Sequence, residues 1–182
     1  MSDYLSGFAE RGMASTAPIE AAVNIAASGA SVWAAISEAG SLTNIHPFCE
    51  VNDVERWPGL GSRDHVHYYS GLHYQRDVVG WREGSGYDFA VGPKSGKIAV
   101  ASWWIEPTTP DSCRFGIEVT SFLRTDISPE VSARYEDKVI KAAIPPYLDA
   151  VVRGVAHYSE PGAPVERNQF GAHEIYSPAA RP

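Results

Sequence analysis

Residues 129–159 read PEVSARYEDKVIKAAIPPYLDAVVRGVAHYS, and their period decides the fold. Asp126 or Ser128 can cap a helix here, and Pro129 suits its first position, where the missing N–H has no partner to lose. Val131, Tyr135, Val139, Ala142, Tyr147, Val151 and Val155 then fall on one apolar stripe, which predicts a long helix running to about Ser159. Pro145 and Pro146 interrupt it. An interior proline removes a donor and crowds the preceding turn, so the helix is expected to kink or restart there, splitting into Pro129–Ile144 and a second part. A helix with one apolar face must lie on another element. The kink is expected to set the width of a space beneath it, lined by Tyr135, Val139 and Ala143.

Upstream of the helix the period changes. Cys49–Trp57, Ser62–Tyr69, Leu72–Arg82, Tyr87–Val91, Ile98–Glu106 and Cys113–Arg124 are runs rich in β-formers. Turn clusters such as Pro58-Gly59, Ser70-Gly71 and Glu83-Gly84-Ser85-Gly86 separate them. Short strands at hairpin spacing predict an antiparallel meander. Before it, Ile19–Ala27 alternates as a strand. Ser28 suits the cap of a helix carrying Val32, Trp33 and Ile36, which Gly40 stops, and a second short helix over Ser41–Ile45 ends before Pro47. The expected architecture is α+β: a seven-stranded curved antiparallel sheet wrapped around a long C-terminal helix, with two short helices between the first and second strands. Residues 1–18 read as an N-terminal tail, 19–160 as the domain, and 161–182 as a Pro-rich C-terminal tail that docks through Phe170 and Tyr176.

Composition narrows the function. Fifteen Lys and Arg against 22 Asp and Glu leave a net charge of -7, with no basic run. Such a chain is poorly suited to phosphate backbones, so no nucleic acid is expected. No apolar stretch reaches the roughly 18–20 residues of a membrane span. Met1–Pro18 lacks the basic start and apolar core of a secretory signal. Cys49 and Cys113 belong to no C-x-x-C pair, and both read as buried thiols in a reducing cytoplasm, a single disulfide between them being the alternative. No cofactor is implied, and the chain is compatible with a homodimer.

Several positions could carry chemistry. His65 and His67 lie two apart on a strand and so share a face, where they could hold a metal or a substrate oxygen. A metal motif of this kind also wants a carboxylate four or five residues after the second histidine, where Gly71 and Leu72 stand. The alternative is a pair of ordinary strand histidines. His46, after the second short helix, is either a general acid or base at the cavity mouth or a turn-shaping residue beside Pro47. On Leu72–Arg82, the face of Tyr74, Arg76 and Val78 is the better candidate lining. Arg76 could there grip a carboxylate or an enolate, or it could face solvent. Trp103 and Trp104 must face opposite ways, one of them supplying a flat wall. Glu118 alternates with Phe115, Ile117 and Val119, which sends it to solvent. Gly92-Pro93-Lys94-Ser95-Gly96-Lys97 lacks the spacing and the final Ser or Thr of a phosphate loop and reads as a turn.

Three stretches carry a family likeness. They are the opening Ile25-Ala26-Ala27-Ser28-Gly29-Ala30-Ser31-Val32-Trp33-Ala34-Ala35-Ile36 with Leu42 and His46-Pro47, the turn Pro58-Gly59-Leu60-Gly61-Ser62-Arg63, and the strand Trp103-Trp104-Ile105-Glu106-Pro107. In this order the chain resembles the helix-grip fold of the START-like, or SRPBCC, superfamily, and within it the polyketide cyclase/dehydrase and lipid-transport group. The resemblance spans about Ile19 to Ser159. It implies an internal cavity for a small, largely apolar molecule of polyketide, aromatic or lipid type. It transfers no catalytic motif. A cyclase or dehydratase (a lyase or isomerase) would draw its acid-base groups from His46, His67, Tyr69 and Arg76. Candidate ligand contacts are His65, Tyr74, Trp103, Phe115, Ile117, Tyr135, Val139, Ala143 and Tyr147. A carrier would use the same cavity without turnover, and a metal-dependent enzyme would use His65 and His67.

Overall fold

The computed structural model describes residues 2–160 and 162–177. Met1 and the ends of the expected C-terminal tail, residues 161 and 178–182, lie outside the described residues. The elements are α1 (Ser2–Glu10), β1 (Met13–Ser15), β2 (Ile19–Ile25), α2 (Gly29–Ser37), α3 (Leu42–Ile45), β3 (Cys49–Arg56), β4 (Arg63–Tyr68), β5 (His73–Arg82), β6 (Gly86–Gly92), β7 (Ala99–Thr109) and β8 (Ser112–Arg124). After them come α4 (Pro129–Tyr135), a π-helical turn (Glu136–Lys141) and α5 (Ala142–Ser159). From β2 to the start of α4 the order is the expected one. Ser28 caps α2 by accepting from the Ser31 N–H, and Ser128 caps α4 with Pro129 in its first turn.

Strands β3 to β8 form an antiparallel meander, and β2 pairs along the outer edge of β8. The sheet holds eight strands rather than seven, because β1 also pairs with β8. The segment expected to be a tail thus contributes a strand and a helix. The helix α1 places Phe8, fully buried, against Phe122 on the outer face of the sheet, ring centroids 3.8 Å apart. A three-residue strand is too short to display alternation, and a nine-residue helix holding Tyr4, Leu5 and Phe8 repeats its period barely twice.

On the inner face, alternation brings Val66, Tyr68, Val78, Phe89, Ala101, Trp103 and Ile117 toward Leu148, Val151 and Val155 of α5 in one core. Trp104 faces outward and lies across Gly116, where a Cβ would come within 2.1 Å of the indole. Glu118 is exposed, as its alternation implies.

The long helix breaks one turn earlier than its prolines suggest. The irregularity is the π-helical turn at 136–141, and Pro145 and Pro146 sit near the start of α5. As the fourth and fifth residues of α5 they lack the N–H groups that would reach back to the carbonyls of Lys141 and Ala142, and the wider π-helical turn ends where those carbonyls begin.

Helix α5 rests directly on α3. A Cβ at Gly154 would lie 2.3 Å from the Ile45 carbonyl oxygen, a backbone atom that has no rotamer to escape into. Gly154→Ala is therefore expected to destabilise the fold by about 1–3 kcal/mol, read as a lower urea midpoint at constant slope. An unchanged midpoint would contradict this packing.

Candidate functional site

Between the inner face of the sheet and the helix lies a cavity of about 430 Å³. Alternation delivers its wall: Val66 and Tyr68 from β4, Tyr74 and Arg76 from β5, Phe89 and Val91 from β6, Ala99, Ala101 and Trp103 from β7, Ile117 and Val119 from β8. His46, which ends α3, closes it with Leu42. Tyr135, Val139, Ile140, Ile144, Tyr147, Leu148 and Val151 line it from the helical side, and Ile175 and Tyr176 from the C-terminal segment. Helix α4 has no buried residue, and Tyr135 is half exposed.

Part of the cavity wall is polar. His46 is 3% exposed. Its Nδ1 accepts the Phe48 N–H at 3.2 Å, so the proton of the neutral ring sits on Nε2. That Nε2–H then donates to the Tyr147 hydroxyl at 3.0 Å. The Tyr147 and Tyr68 hydroxyls share a hydrogen bond at 3.2 Å, completing a relay from imidazole to phenol to phenol. Burial, helped by the nearby positive charge of Arg76, lowers the His46 pKa to about 3. Burial pushes Tyr147 up to about 12 and Tyr68 well above the ordinary phenol value. At neutral pH every member is uncharged. The relay can donate and accept hydrogen bonds, but no group in it is poised near neutrality to trade protons.

Arg76 is 5% exposed and Asp64 1%. Arg76 Nε donates to Asp64 Oδ1 at 2.8 Å and its Nη2 to Oδ2, while Asn52 donates to the same Oδ2 at 3.0 Å. The guanidinium lies over the ring of Phe89 at 4.8 Å. Burial works against its charge, yet Asp64 more than compensates and holds the Arg76 pKa above its ordinary value. The group expected to grip a carboxylate or enolate already grips a carboxylate of its own chain.

Of the expected site residues, His46, Tyr74, Arg76, Trp103, Ile117, Tyr135, Val139 and Tyr147 line the cavity. Five do not. His65 and His67 do share a face, but it is the outer one. His65 meets Glu55 at 2.6 Å and His67 meets Asp53 at 3.0 Å, because Asp64, Val66 and Tyr68 take the inward positions of β4. Among the described residues no group of three or more His, Cys, Asp or Glu is arranged to hold a metal ion. Tyr69 points away from the cavity, its ring under Arg167 at 4.7 Å. Phe115 is fully buried and backs Trp103 from 5.5 Å rather than forming wall. Ala143 is buried beside the C-terminal segment, its carbonyl accepting from His173 Nε2 at 2.8 Å. A π-helical turn needs more residues than an α-turn, so it rotates the stripe and brings Ile140 and Ile144 to the cavity beside the expected Tyr147.

Asp64 and Tyr68 escaped the sequence reading, and Tyr176 was expected to dock the C-terminal segment but not to line the cavity. Tyr68 was legible as the alternation partner of Val66, once the inward face of β4 is known. Tyr176 lies in an aperiodic stretch and carries no local signal beyond being aromatic. Cys49 and Cys113 are both buried and free, and burial pushes the Cys49 thiol up to about 12.

No protein-family model and no curated protein matches the sequence. Solved structures share the fold. Norcoclaurine synthase from Thalictrum flavum, in complex with dopamine and hydroxybenzaldehyde, is 15% identical over 81% of this chain and 88% of its own, with a TM-score of 0.60. Ara h 8.0201 is 14% identical over 80% of this chain and 98% of its own, at 0.54. The di-domain ARO/CYC BexL from the BE-7585A biosynthetic pathway is 10% identical over 78% of this chain and 46% of its own, at 0.56. At these identities the likeness shows the fold alone: this chain has the helix-grip fold.

Proposed function

We propose that this protein binds a small, largely apolar molecule in the cavity between the sheet and α5. The observation that carries this reading is the cavity itself. It holds about 430 Å³, within the range of small-molecule sites, and is walled mainly by aliphatic and aromatic side chains with a few polar groups among them. The complex of norcoclaurine synthase with two aromatic molecules is a precedent for the fold. Binding without turnover accounts for the uncharged relay. The second reading, cyclisation or dehydration, rests on the same relay, since phenol donors in a desolvated site can stabilise a developing enolate oxygen. Two free buried thiols support a reducing, cytoplasmic setting.

Titration with the neutral fluorophore N-phenyl-1-naphthylamine tests the reading. The probe is expected to bind the wild-type chain and to quench Trp103, which lines the cavity. Ala101→Phe, which fills the wall from β7, is expected to weaken binding about tenfold or more while the protein stays folded. Equal binding by both proteins, or none by either, would sink the cavity as the site.

A further inference from the structure

We infer that the cavity takes a neutral molecule bearing a hydrogen-bond-accepting oxygen, and that Tyr176, delivered by the C-terminal segment, holds that oxygen. This rests on the cavity-binding reading and adds to it the chemistry of the ligand and the residue that selects it.

The argument begins with an unpaired donor. Tyr176 is 7% exposed and lines the cavity, yet its hydroxyl makes no hydrogen bond among the described residues. Buried hydroxyls nearly always have a partner, because removing one from water without replacing its hydrogen bond is costly. Among the described residues, the side-chain polar atoms that are both sealed and unpartnered are Ser62 Oγ and Ser159 Oγ. The Tyr176 hydroxyl is not one of them, so open space adjoins it. Tyr74 lines the same cavity and its hydroxyl also makes no hydrogen bond among the described residues.

The ring is held ready. It packs on Tyr147 at 4.4 Å and on Tyr68 at 4.6 Å. Its carbonyl accepts from the Ser70 N–H at 3.2 Å. Further back, the Asn168 N–H donates to Pro47 O and the Val165 N–H to Asn44 O, pinning the segment across the α3–β3 connection. A donor fixed in this way loses little freedom when it meets a ligand. Burial holds the Tyr176 hydroxyl far above the ordinary phenol value, so at neutral pH it donates.

Charge excludes an acid. The buried cation of the wall, Arg76, is bidentate to Asp64, and Arg124 is exposed and paired with Asp126. A carboxylate ligand would enter as an uncompensated buried charge. A ketone, ether or alcohol oxygen would not.

Three probes of one skeleton test this: fluorene, 9-fluorenone and fluorene-9-carboxylate, each displacing N-phenyl-1-naphthylamine from the full chain. The ketone is expected to bind about tenfold more tightly than the hydrocarbon, with the carboxylate weakest. Tyr176→Phe is expected to erase the ketone preference, with a urea midpoint close to that of the wild type showing that the variant is folded. Equal affinity for ketone and hydrocarbon, a preference for the carboxylate, or a preference that survives Tyr176→Phe would overturn the inference and leave the cavity reading standing. Failure of all three probes would overturn both.

Discussion

Arg76→Met is expected to destabilise the protein by about 3–5 kcal/mol, the largest effect of any single change considered. The reason is what remains rather than what is removed. Asp64, 1% exposed, would keep a charge with Asn52 as its other side-chain partner. The double variant Arg76→Met with Asp64→Leu removes both charges from an apolar setting and is expected to regain most of that loss, because a buried pair gains little net energy over well-packed hydrophobic side chains. Urea midpoints of the single and double variants decide it. A double variant as unstable as the single one would show that the pair contributes net stability of its own. The ligand inference adds an expectation. Once Arg76→Met exposes the bare carboxylate, binding of acidic probes should weaken further.

Acid should unfold the wild-type protein partly through His46. Its folded pKa of about 3 lies below the ordinary value of 6.5, so as pH falls through 6.5 the unfolded chain takes up a proton that the fold refuses. Stability from this residue is complete above 6.5 and declines by about 1.4 kcal/mol for each pH unit down to about 3. Asp77 and Asp88, held below the ordinary carboxylate value despite burial by their Arg, Lys and hydroxyl partners, add loss at the acid end. His46→Asn places an amide oxygen near the position of Nδ1, where it can still accept the Phe48 N–H. The variant is expected to flatten the stability profile between about pH 6.5 and 4.5, where His46 dominates the difference. Identical slopes for the two proteins would show that His46 is not held neutral by the fold.

Much of the fold was legible because its signals are local. The capping serines Ser28 and Ser128, the Gly-rich turns and the alternation of β5 and β7 each state their structure within a few residues. The site was legible in part, and its errors share one cause. On β4 the alternation of His65 and His67 against Val66 and Tyr68 is plain, but a strand with polar residues on both faces does not say which face is inward. On the long helix the stripe was read at 3.6 residues per turn, so a π-helical turn moved Ala143 off the wall and Ile144 onto it.

The sequence by itself therefore determined the order of elements from Ile19 to the long helix, and the presence of a helix laid across a sheet. It did so because hydrogen bonding and side-chain period act over a few residues. Tertiary structure alone decided the site. Asp64 meets Arg76 across a strand pair, His46 meets Tyr147 from 101 positions away, and Tyr176 reaches Tyr68 and Tyr147 from a segment with no period at all. These contacts depend on which faces the packed helix and the C-terminal segment bury, and no local pattern records that choice.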